Sequence, residues 1–385
     1  MRFLLVLCLS GFASSISWRA ADPMLPTMAA DLEVTLHTVA LLSSAYSFPY
    51  AIMQIALGPA GDAFGRVPMI RLSLFVVAAS LAVTALASGY GMVLAARVVG
   101  GAFAGGLTPM SLALLGDRVA LVGRQVAIAR YLIAAIFGQV FGAAAAGMLV
   151  EIVGWRGVFA LAAVVVGLAG LATTLFLDGS FEKRSPLSFR GAVRGYSMVL
   201  ANPMALLLYA MFLTEGAVVL GLFPFVAAMV LAHGAAGARE GGIVIAGFAV
   251  GGMAYGVVVR SVVAALGQWN MMRLGGLLAG ASLMAMALPI PWIALAGLFV
   301  LTGFGFYMLH NTLQTLGTEL APAARASAIA LMATSYFTGQ GVGPVLGGAI
   351  TAAAGLGSLF LCFGVACVLL GLVAAPLLRR HSAAK

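Results

Sequence analysis

Charged residues are scarce in this chain. Only 8% of its 385 residues are Asp, Glu, Lys or Arg, whereas 63% are hydrophobic. Soluble globular proteins carry about 25% charged residues, so a chain with this composition could not cover a water-facing surface with polar groups. The mean hydropathy of +1.12 agrees. The composition therefore excludes a soluble globular protein and indicates an integral membrane protein.

Cysteine is scarce too. Cys8, Cys362 and Cys367 lie in apolar runs, and their spacing gives neither a disulfide framework nor a set of metal ligands. The net charge of +9 would favour a nucleic-acid partner in a soluble protein. Here most basic residues lie in short loops between apolar runs, so the expected partner is the lipid bilayer and not nucleic acid. No metal and no cofactor are expected.

Long apolar runs are abundant. A spanning helix needs about 20 apolar residues, and twelve runs meet this requirement. The predicted spans are residues 3–29, 36–57, 69–88, 91–116, 125–151, 157–178, 203–232, 241–264, 270–290, 292–316, 324–353 and 355–378. We predict an all-α membrane fold of two six-helix bundles, at residues 1–178 and 202–385, joined by a central cytoplasmic loop at 179–201.

The two halves of the sequence repeat each other at an offset of 201 residues. The aligned pairs include Pro23 with Pro224, Gly116 with Gly317, and Arg124 with Arg325. One gapless offset across several helices indicates an internal repeat, and paired six-helix repeats are an architecture of transporters.

The basic residues predict the orientation. Twelve spans place both termini on one side, and a cytoplasmic position of the termini puts most of the 20 Lys and Arg residues there, as the positive-inside rule requires. We expect a multi-pass protein of the bacterial inner membrane with both termini in the cytoplasm.

The segment GPAGDAFGR interrupts the apolar sequence after span 2. Its Gly58, Asp62, Gly65 and Arg66 form a G-x-x-x-D-x-x-G-R pattern that resembles the signature between spans 2 and 3 of the major facilitator superfamily. The twelve spans, the central loop and the half-repeat extend this resemblance over the whole chain. The resemblance implies that these four residues form a conformational latch, closed in the outward-open state and parted in the inward-open state.

Charges inside the spans are candidates for function, because each costs about 2.5–3.5 kcal/mol at a helix centre on insertion scales. Arg19 and Asp22 are three residues apart in span 1 and share a helix face, so they could form a static pair. Alternatively, Asp22 exchanges a proton as its contact with Arg19 breaks and forms. Glu215 lies near the middle of span 7, where it could bind a cation, titrate or stay neutral.

Two further patterns in spans 1 and 4 resemble family signatures. The D-P-x-x-P that begins at Asp22 is similar to the drug:proton antiporter branch of the superfamily, which implies that this aspartate takes part in proton coupling. Arg97 resembles the span-4 arginine that is followed by Gln-Gly, although Gly100 stands in place of the glutamine. The alternative for Arg97 is snorkelling to the membrane interface.

Polar residues at helical spacing predict a substrate cavity between the bundles. The candidates are Ser43, Ser47, Tyr50 and Gln54 in span 2, Tyr131 and Gln139 in span 5, His310, Asn311 and Gln314 in span 10, and Tyr336 and Gln340 in span 11. For the residues of span 2, hydrogen bonding between helices is the alternative role.

Span 11 contains the glycine-rich stretch GQGVGPVLGG. It follows no strand and lies inside an apolar run, so it is not predicted to bind phosphate. Small residues at this spacing permit close helix contact, and proline allows a bend. The packing residues are Gly339, Gly343, Pro344, Gly347 and Gly348, with Gly138 and Gly142 in span 5. The pattern is similar to one of the antiporter branch, where it belongs to span 5, but here Ala143 replaces the proline of that span.

The sequence therefore predicts a monomeric secondary transporter, not an enzyme, that uses a proton gradient. The favoured function is export of small amphipathic organic compounds or drugs by H⁺ antiport. The alternatives are uptake of a small organic solute or of an anion held by Arg19, transport of a soft metal ion by pairs such as Met229 and His233, and a membrane sensor that does not transport.

Overall fold

The computed structural model describes residues 2–179, 189–234, 237–320 and 325–383. These residues form helices and connecting turns, with no strand among them. The helices are α1 (Arg2–Arg19), α2 (Leu25–Asp31), α3 (Leu36–Phe64), α4 (Arg66–Ala85), α5 (Tyr90–Ala104), α6 (Leu107–Arg118), α7 (Leu121–Phe176), α8 (Phe189–Leu200), α9 (Pro203–Val218), α10 (Phe223–Ala232), α11 (Ala238–Ala285), α12 (Trp292–Glu319), α13 (Arg325–Ala354) and α14 (Leu356–Ala383).

The helices cross the membrane twelve times. Nine stretches of the described chain are long and apolar enough to span a bilayer. Two of them, in α7 and α11, have 51 and 48 residues and would extend about 70–77 Å at 1.5 Å per residue, more than twice the hydrocarbon thickness. Each reverses at a glycine with positive φ, Gly154 (69°) or Gly267 (65°), and so crosses twice. Helix α13, with 30 residues, is the remaining crossing.

The reversals confirm the pseudo-symmetry of the two bundles. Gly154 and Gly355 are 201 positions apart and both have positive φ (69° and 85°). Gly65 and Gly267 are 202 positions apart and also share it (99° and 65°). Only glycine adopts this region without a steric penalty, so the same residue type makes the same turn in both halves.

The first span of each bundle is broken, although we predicted continuous helices. Helix α1 ends at Arg19 and α2 begins at Leu25, with Pro23 in the helical turn between them. Likewise α9 ends at Val218, and Pro224 lies in the first turn of α10. Proline lacks the N–H that would continue the helix, so both spans break at aligned positions. Backbone carbonyls at each break therefore lack their usual helical donors.

The glycines of spans 5 and 11 bring pairs of helices into backbone contact. A side chain at Gly138 would overlap the carbonyl oxygen of Phe12, and one at Gly339 would overlap that of Leu213. These contacts are related by the same 201-residue offset. A second pair of contacts has the same offset: Gly142 packs against the backbone of Ile16, and Gly343 packs against the backbone of Ala217. Pro344 lies inside α13, and Gly347 faces the ring of Phe225.

Two predicted loops differ from the structure. The central stretch contains helix α8, while residues 180–188 lie outside the described part of the chain. Gly58 and Asp62 belong to the last turns of α3 rather than to a loop, because the positive φ of Gly65 reverses the chain at one residue. The side chain of Asp62 lies outside the described part of the structure. The exact domain bounds stay a prediction.

Candidate functional site

The break in span 1 holds a buried ion pair. Arg19 Nη1 donates to Asp22 Oδ2 at 3.2 Å, and the hydroxyl of Ser43 donates to Asp22 Oδ1 at 2.9 Å. Arg19 is 5% exposed and Asp22 is 1% exposed. Each oxygen of Asp22 therefore has a donor, and its negative charge has a counter-charge within contact distance, as an ionised carboxylate in an apolar interior requires.

Arg19 also reaches the other bundle. Its Nη2 donates to Gln340 Oε1 at 2.7 Å, and its guanidinium lies 4.7 Å from the ring centre of Phe223 and 5.2 Å from that of Trp18. Gln340 belongs to α13 and Phe223 to α10, so one side chain connects Asp22 to two helices of the C-terminal bundle. A change in the ion pair with Asp22 therefore acts directly on a contact between the bundles.

Arg97 holds the broken end of α1. It donates to the carbonyl oxygens of Ser17 (2.9 Å), Trp18 (3.3 Å) and Leu42 (3.3 Å), and its guanidinium lies 4.2 Å from the ring centre of Tyr46. The last carbonyls of a helix lack intrahelical donors, and the N–H groups of Arg97 act as their donors. With 2% exposure it lies inside the bundle, which disagrees with snorkelling to the interface.

A second buried acid lies in the C-terminal bundle. Glu215 Oε2 is 3.0 Å from His310 Nδ1, and the other oxygen, Oε1, has no hydrogen-bond partner. The Glu215 side chain has no exposed surface, whereas that of His310 is 17% exposed. The imidazole stacks on Phe306 at 5.1 Å and lies 5.1 Å from the ring of Tyr336. Glu215 is thus less completely bonded than Asp22.

Two cavities lie between the bundles. The smaller one, of about 130 Å³, is lined by Arg19, Gln139, Tyr336 and Gln340 together with aromatic and aliphatic side chains. The larger one, of about 550 Å³, is lined by Tyr50, Gln54 and Gln139 among mainly apolar residues. Ile136, Gln139 and Phe337 line both cavities and lie between them. The sites predicted in spans 1, 2, 5 and 11 thus meet around one connected region.

The larger cavity lies toward one side of the membrane. We call the membrane side on which Arg2 and the end of α14 lie the terminal side. The larger cavity lies in that half, because its lining residues in α3, α6 and α13 belong to the parts of these helices near that side, and residues of α1 and α7 complete its wall. In the opposite half the bundles touch: Ser44 donates to the Gly341 carbonyl at 2.7 Å, and His37 packs on Gly348.

Several predicted cavity residues line neither cavity. These are Ser43, Ser47, Tyr131, His310, Asn311 and Gln314. Ser43 bonds Asp22, and His310 bonds Glu215 behind the cavity wall. Asn311 donates to Tyr255 at 2.9 Å inside its own bundle, Tyr131 is fully buried, and Gln314 is exposed. A polar helical face is wider than the part of it that reaches the cavity.

The sequence prediction missed the aromatic wall of the smaller cavity. Its members are Phe223, Phe248, Phe306, Tyr307 and Phe337. One signal was present, because Phe223 is the residue aligned with Asp22 at the 201-residue offset. Aromatic residues are common in apolar spans, and only the rotation of each helix shows which of them face inward.

The predicted latch has a partner that the sequence did not suggest. Arg66, which follows the Gly65 turn, forms an ion pair with Asp117 near the end of α6. The pair is partly exposed, with 21% of the Arg66 side chain and 64% of the Asp117 side chain open. It ties the turn between α3 and α4 to α6 on the terminal side.

Residues 7–334 match the model of the Major Facilitator Superfamily. The chain belongs to this superfamily. An uncharacterised MFS-type transporter of Mycobacterium tuberculosis is 38% identical over 40% of this chain and 26% of its own length. The tetracenomycin C resistance and export protein of Streptomyces glaucescens is 34% identical over 43% of this chain and 30% of its own length. A bicyclomycin resistance protein homolog of Haemophilus influenzae is 27% identical over 59% of this chain and 57% of its own length.

The chain thus aligns with less than two thirds of each of these relatives. Solved structures extend the likeness of fold to nearly the whole chain. A bacterial homolog of the lysosomal transporter Spinster, in an inward-facing and unoccupied conformation, has a TM-score of 0.76 at 20% identity, covering 97% of this chain and 95% of that one. The nucleoside transporter NupG has a TM-score of 0.79 at 14% identity, covering 96% and 98%. This Major Facilitator Superfamily chain is a multi-pass membrane protein.

Proposed function

We propose that this transporter exports small amphipathic organic compounds in exchange for protons, with Asp22 as a proton site. The observation that carries the proposal is the buried chain of contacts from Ser43 through Asp22 and Arg19 to Gln340. It joins a titratable carboxylate to the contact between the bundles. Two relatives named for drug resistance, one of them also for export, support the direction.

The contacts suggest how a proton would act. Protonation of Asp22 removes the charge that holds Arg19, so the 3.2 Å ion pair weakens. Arg19 is then free to change its contact with Gln340, and the balance between two packings of the bundles shifts. A proton that crosses 100 mV supplies about 2.3 kcal/mol, which is enough to bias such a balance.

The cavities suit an amphipathic compound. Most of their lining is aromatic or aliphatic, with a few amides and hydroxyls, as in small-molecule sites generally. We place the chain in a bacterial inner membrane with its termini in the cytoplasm. On that placement the larger cavity loads from the cytoplasm, as an exporter requires.

The test uses everted membrane vesicles with a respiration-driven, acid-inside pH gradient reported by a quenched dye. Lipophilic cations and neutral drugs are added to vesicles with the wild type, Asp22→Asn or Asp31→Asn. We expect a compound that restores fluorescence with the wild type and with the control variant Asp31→Asn, whose acid is 46% exposed in its pair with Arg156. A response that persists in Asp22→Asn would contradict the assignment of the proton site.

Uptake of a small organic anion is the second candidate. Among the described residues that line the two cavities, Arg19 is the charged one, and an anion could replace Asp22 as its partner. In vesicles without a pH gradient, added substrate would acidify the lumen in symport and make it alkaline in antiport. The sign of the pH change therefore separates the two functions.

A further inference from the structure

The environment of Glu215 favours a neutral acid. One oxygen of this carboxyl group has no hydrogen-bond partner, and the whole side chain is buried. An ionised carboxylate with a bare oxygen in an apolar interior costs several kcal/mol. A protonated acid needs only one bond: Oε2–H donates to Nδ1 of His310, and Oε1 becomes a carbonyl oxygen that tolerates the lack of a donor.

Among the described residues, the other groups around Glu215 provide no compensating cation. Besides His310, the titratable side chains that interact with it electrostatically are Tyr307, Tyr336 and Cys367. Tyrosine and cysteine are neutral in their ordinary state at pH 7. Arg19, which also acts on the two tyrosines, is already paired with Asp22. An ionised Glu215 would therefore depend on His310 alone for its counter-charge.

His310 lies between this acid and the smaller cavity. Its ring contacts Phe306 and Tyr336, both of which line that cavity. Because the imidazole is partly exposed and Glu215 is not, a proton that leaves Glu215 meets His310 before it meets water.

We propose that Glu215 and His310 form a second proton-binding site, separate from Asp22, in which Glu215 stores the proton and His310 relays it to the smaller cavity. On release, water takes the proton from Nε2 of His310 while Nδ1 accepts the proton of Glu215 Oε2. One proton leaves the pair, a carboxylate remains, and the charge of the site changes from zero to minus one. Uptake reverses these steps.

The site has a mechanical connection to the bundle contact. Gly216, next to Glu215, packs against the backbone carbonyl of Tyr336 in α13 so closely that a side chain would overlap it. One turn later α13 carries Gln340, the acceptor of Arg19. Both proton sites therefore act on α13. This mechanical role rests on the proposed function, whereas the proton-binding site itself does not.

The experiment is infrared spectroscopy of the purified full-length protein in lipid nanodiscs at neutral pH. A buried carboxylic acid gives a C=O band that shifts in D₂O. We expect this band in the wild type, its loss in Glu215→Gln, and its retention in Asp22→Asn and in Glu319→Gln, the control at an exposed acid on the same helix as His310. No band in the wild type, or a band that only Asp22→Asn removes, would overturn the proposal.

The relay is tested with His310→Phe, which keeps an aromatic ring against Phe306. We expect the C=O band to remain, to move because its hydrogen bond is lost, and to exchange deuterium about a hundredfold more slowly, the lower end of the effect of a positioned proton-transfer group. Unchanged band position and exchange rate would overturn the role of His310. Neither readout requires transport, so failure of the proposed antiport leaves this test intact.

Discussion

The two bundles share a packing frame but differ in their buried polar groups. The glycine contacts of spans 5 and 11 and the breaks of spans 1 and 7 repeat at the 201-residue offset. The charges do not repeat: the residues aligned with Arg19, Asp22 and Arg97 are Leu220, Phe223 and Leu298, and those aligned with Glu215 and His310 are Ser14 and Pro109. Backbone contact is a requirement of each bundle, whereas each buried charged group occurs in one bundle alone.

The cavity shows why the charges are not duplicated. Arg19, its counterpart Leu220 and the counterpart of Asp22, Phe223, all line the smaller cavity. An arginine at both aligned positions would place two guanidinium groups beside one small space, and like charges in a low-dielectric interior repel strongly. The C-terminal bundle instead offers the Phe223 ring to the Arg19 cation.

The largest expected effect comes from making the N-terminal bundle resemble the other one at Arg97. Arg97→Leu copies Leu298 and leaves the carbonyls of Ser17 and Trp18, at the end of α1, without a donor, whereas Leu42 keeps its backbone donor inside α3. At about 1–3 kcal/mol for each of the two unsatisfied groups, we expect a loss of about 2–6 kcal/mol in the free energy of unfolding, measured by detergent titration. The free energy of unfolding of Arg97→Lys should lie between those of the wild type and Arg97→Leu. Wild-type stability of Arg97→Leu would contradict the role of Arg97 in holding the end of α1.

The shared glycine frame predicts equal effects in the two bundles. Gly138→Ala and Gly339→Ala each push a methyl group into a backbone carbonyl, and overpacking of this kind costs about 1–3 kcal/mol. Thermal unfolding in detergent should show both losses to be similar. The control is Gly297→Ala, where a side chain meets open space, so this variant should be neutral or slightly stabilised. A large loss of stability in only one of the two variants would show that the glycine contacts of the two bundles are not equivalent.

The sequence predicted the repeated features well, because they depend on local chemistry. Glycine spacing indicates where backbones touch. Proline alone did not indicate where a helix breaks, because Pro344 lies inside the unbroken α13 whereas Pro23 lies at the break of span 1. The site was harder to predict, because periodicity identifies a polar face without showing which neighbour it meets. Asn311 and His310 were predicted together, yet one bonds Tyr255 and the other Glu215. Likewise the single-residue turn at Gly65, which places Asp62 in a helix, follows from a backbone angle that the pattern did not show.

The contact that closes the non-terminal side can be weakened selectively. A methyl group at Gly348 would overlap the His37 ring, which destabilises this packing of the bundles without touching either proposed proton site. A cost of about 1.4 kcal/mol would shift the population about tenfold toward a state that is open on that side. Distances between spin labels on the non-terminal ends of α3 and α13 would report the shift. Removal of the ring in His37→Ala/Gly348→Ala should restore the wild-type distribution, and failure to do so would place the effect elsewhere.

The smallest effect is expected where the C-terminal bundle has a polar pair and the other bundle does not. Asn311 and Tyr255 hydrogen-bond each other, whereas their aligned residues are Met110 and Gln54. Asn311→Met should cost about 1 kcal/mol, the net value of one such bond, and leave the KM of transport unchanged because the pair lines neither cavity. Gln54→Leu should keep near-normal stability and change the KM, since Gln54 lines the larger cavity. A changed KM in Asn311→Met would instead support the sequence prediction that Asn311 contributes to the substrate cavity.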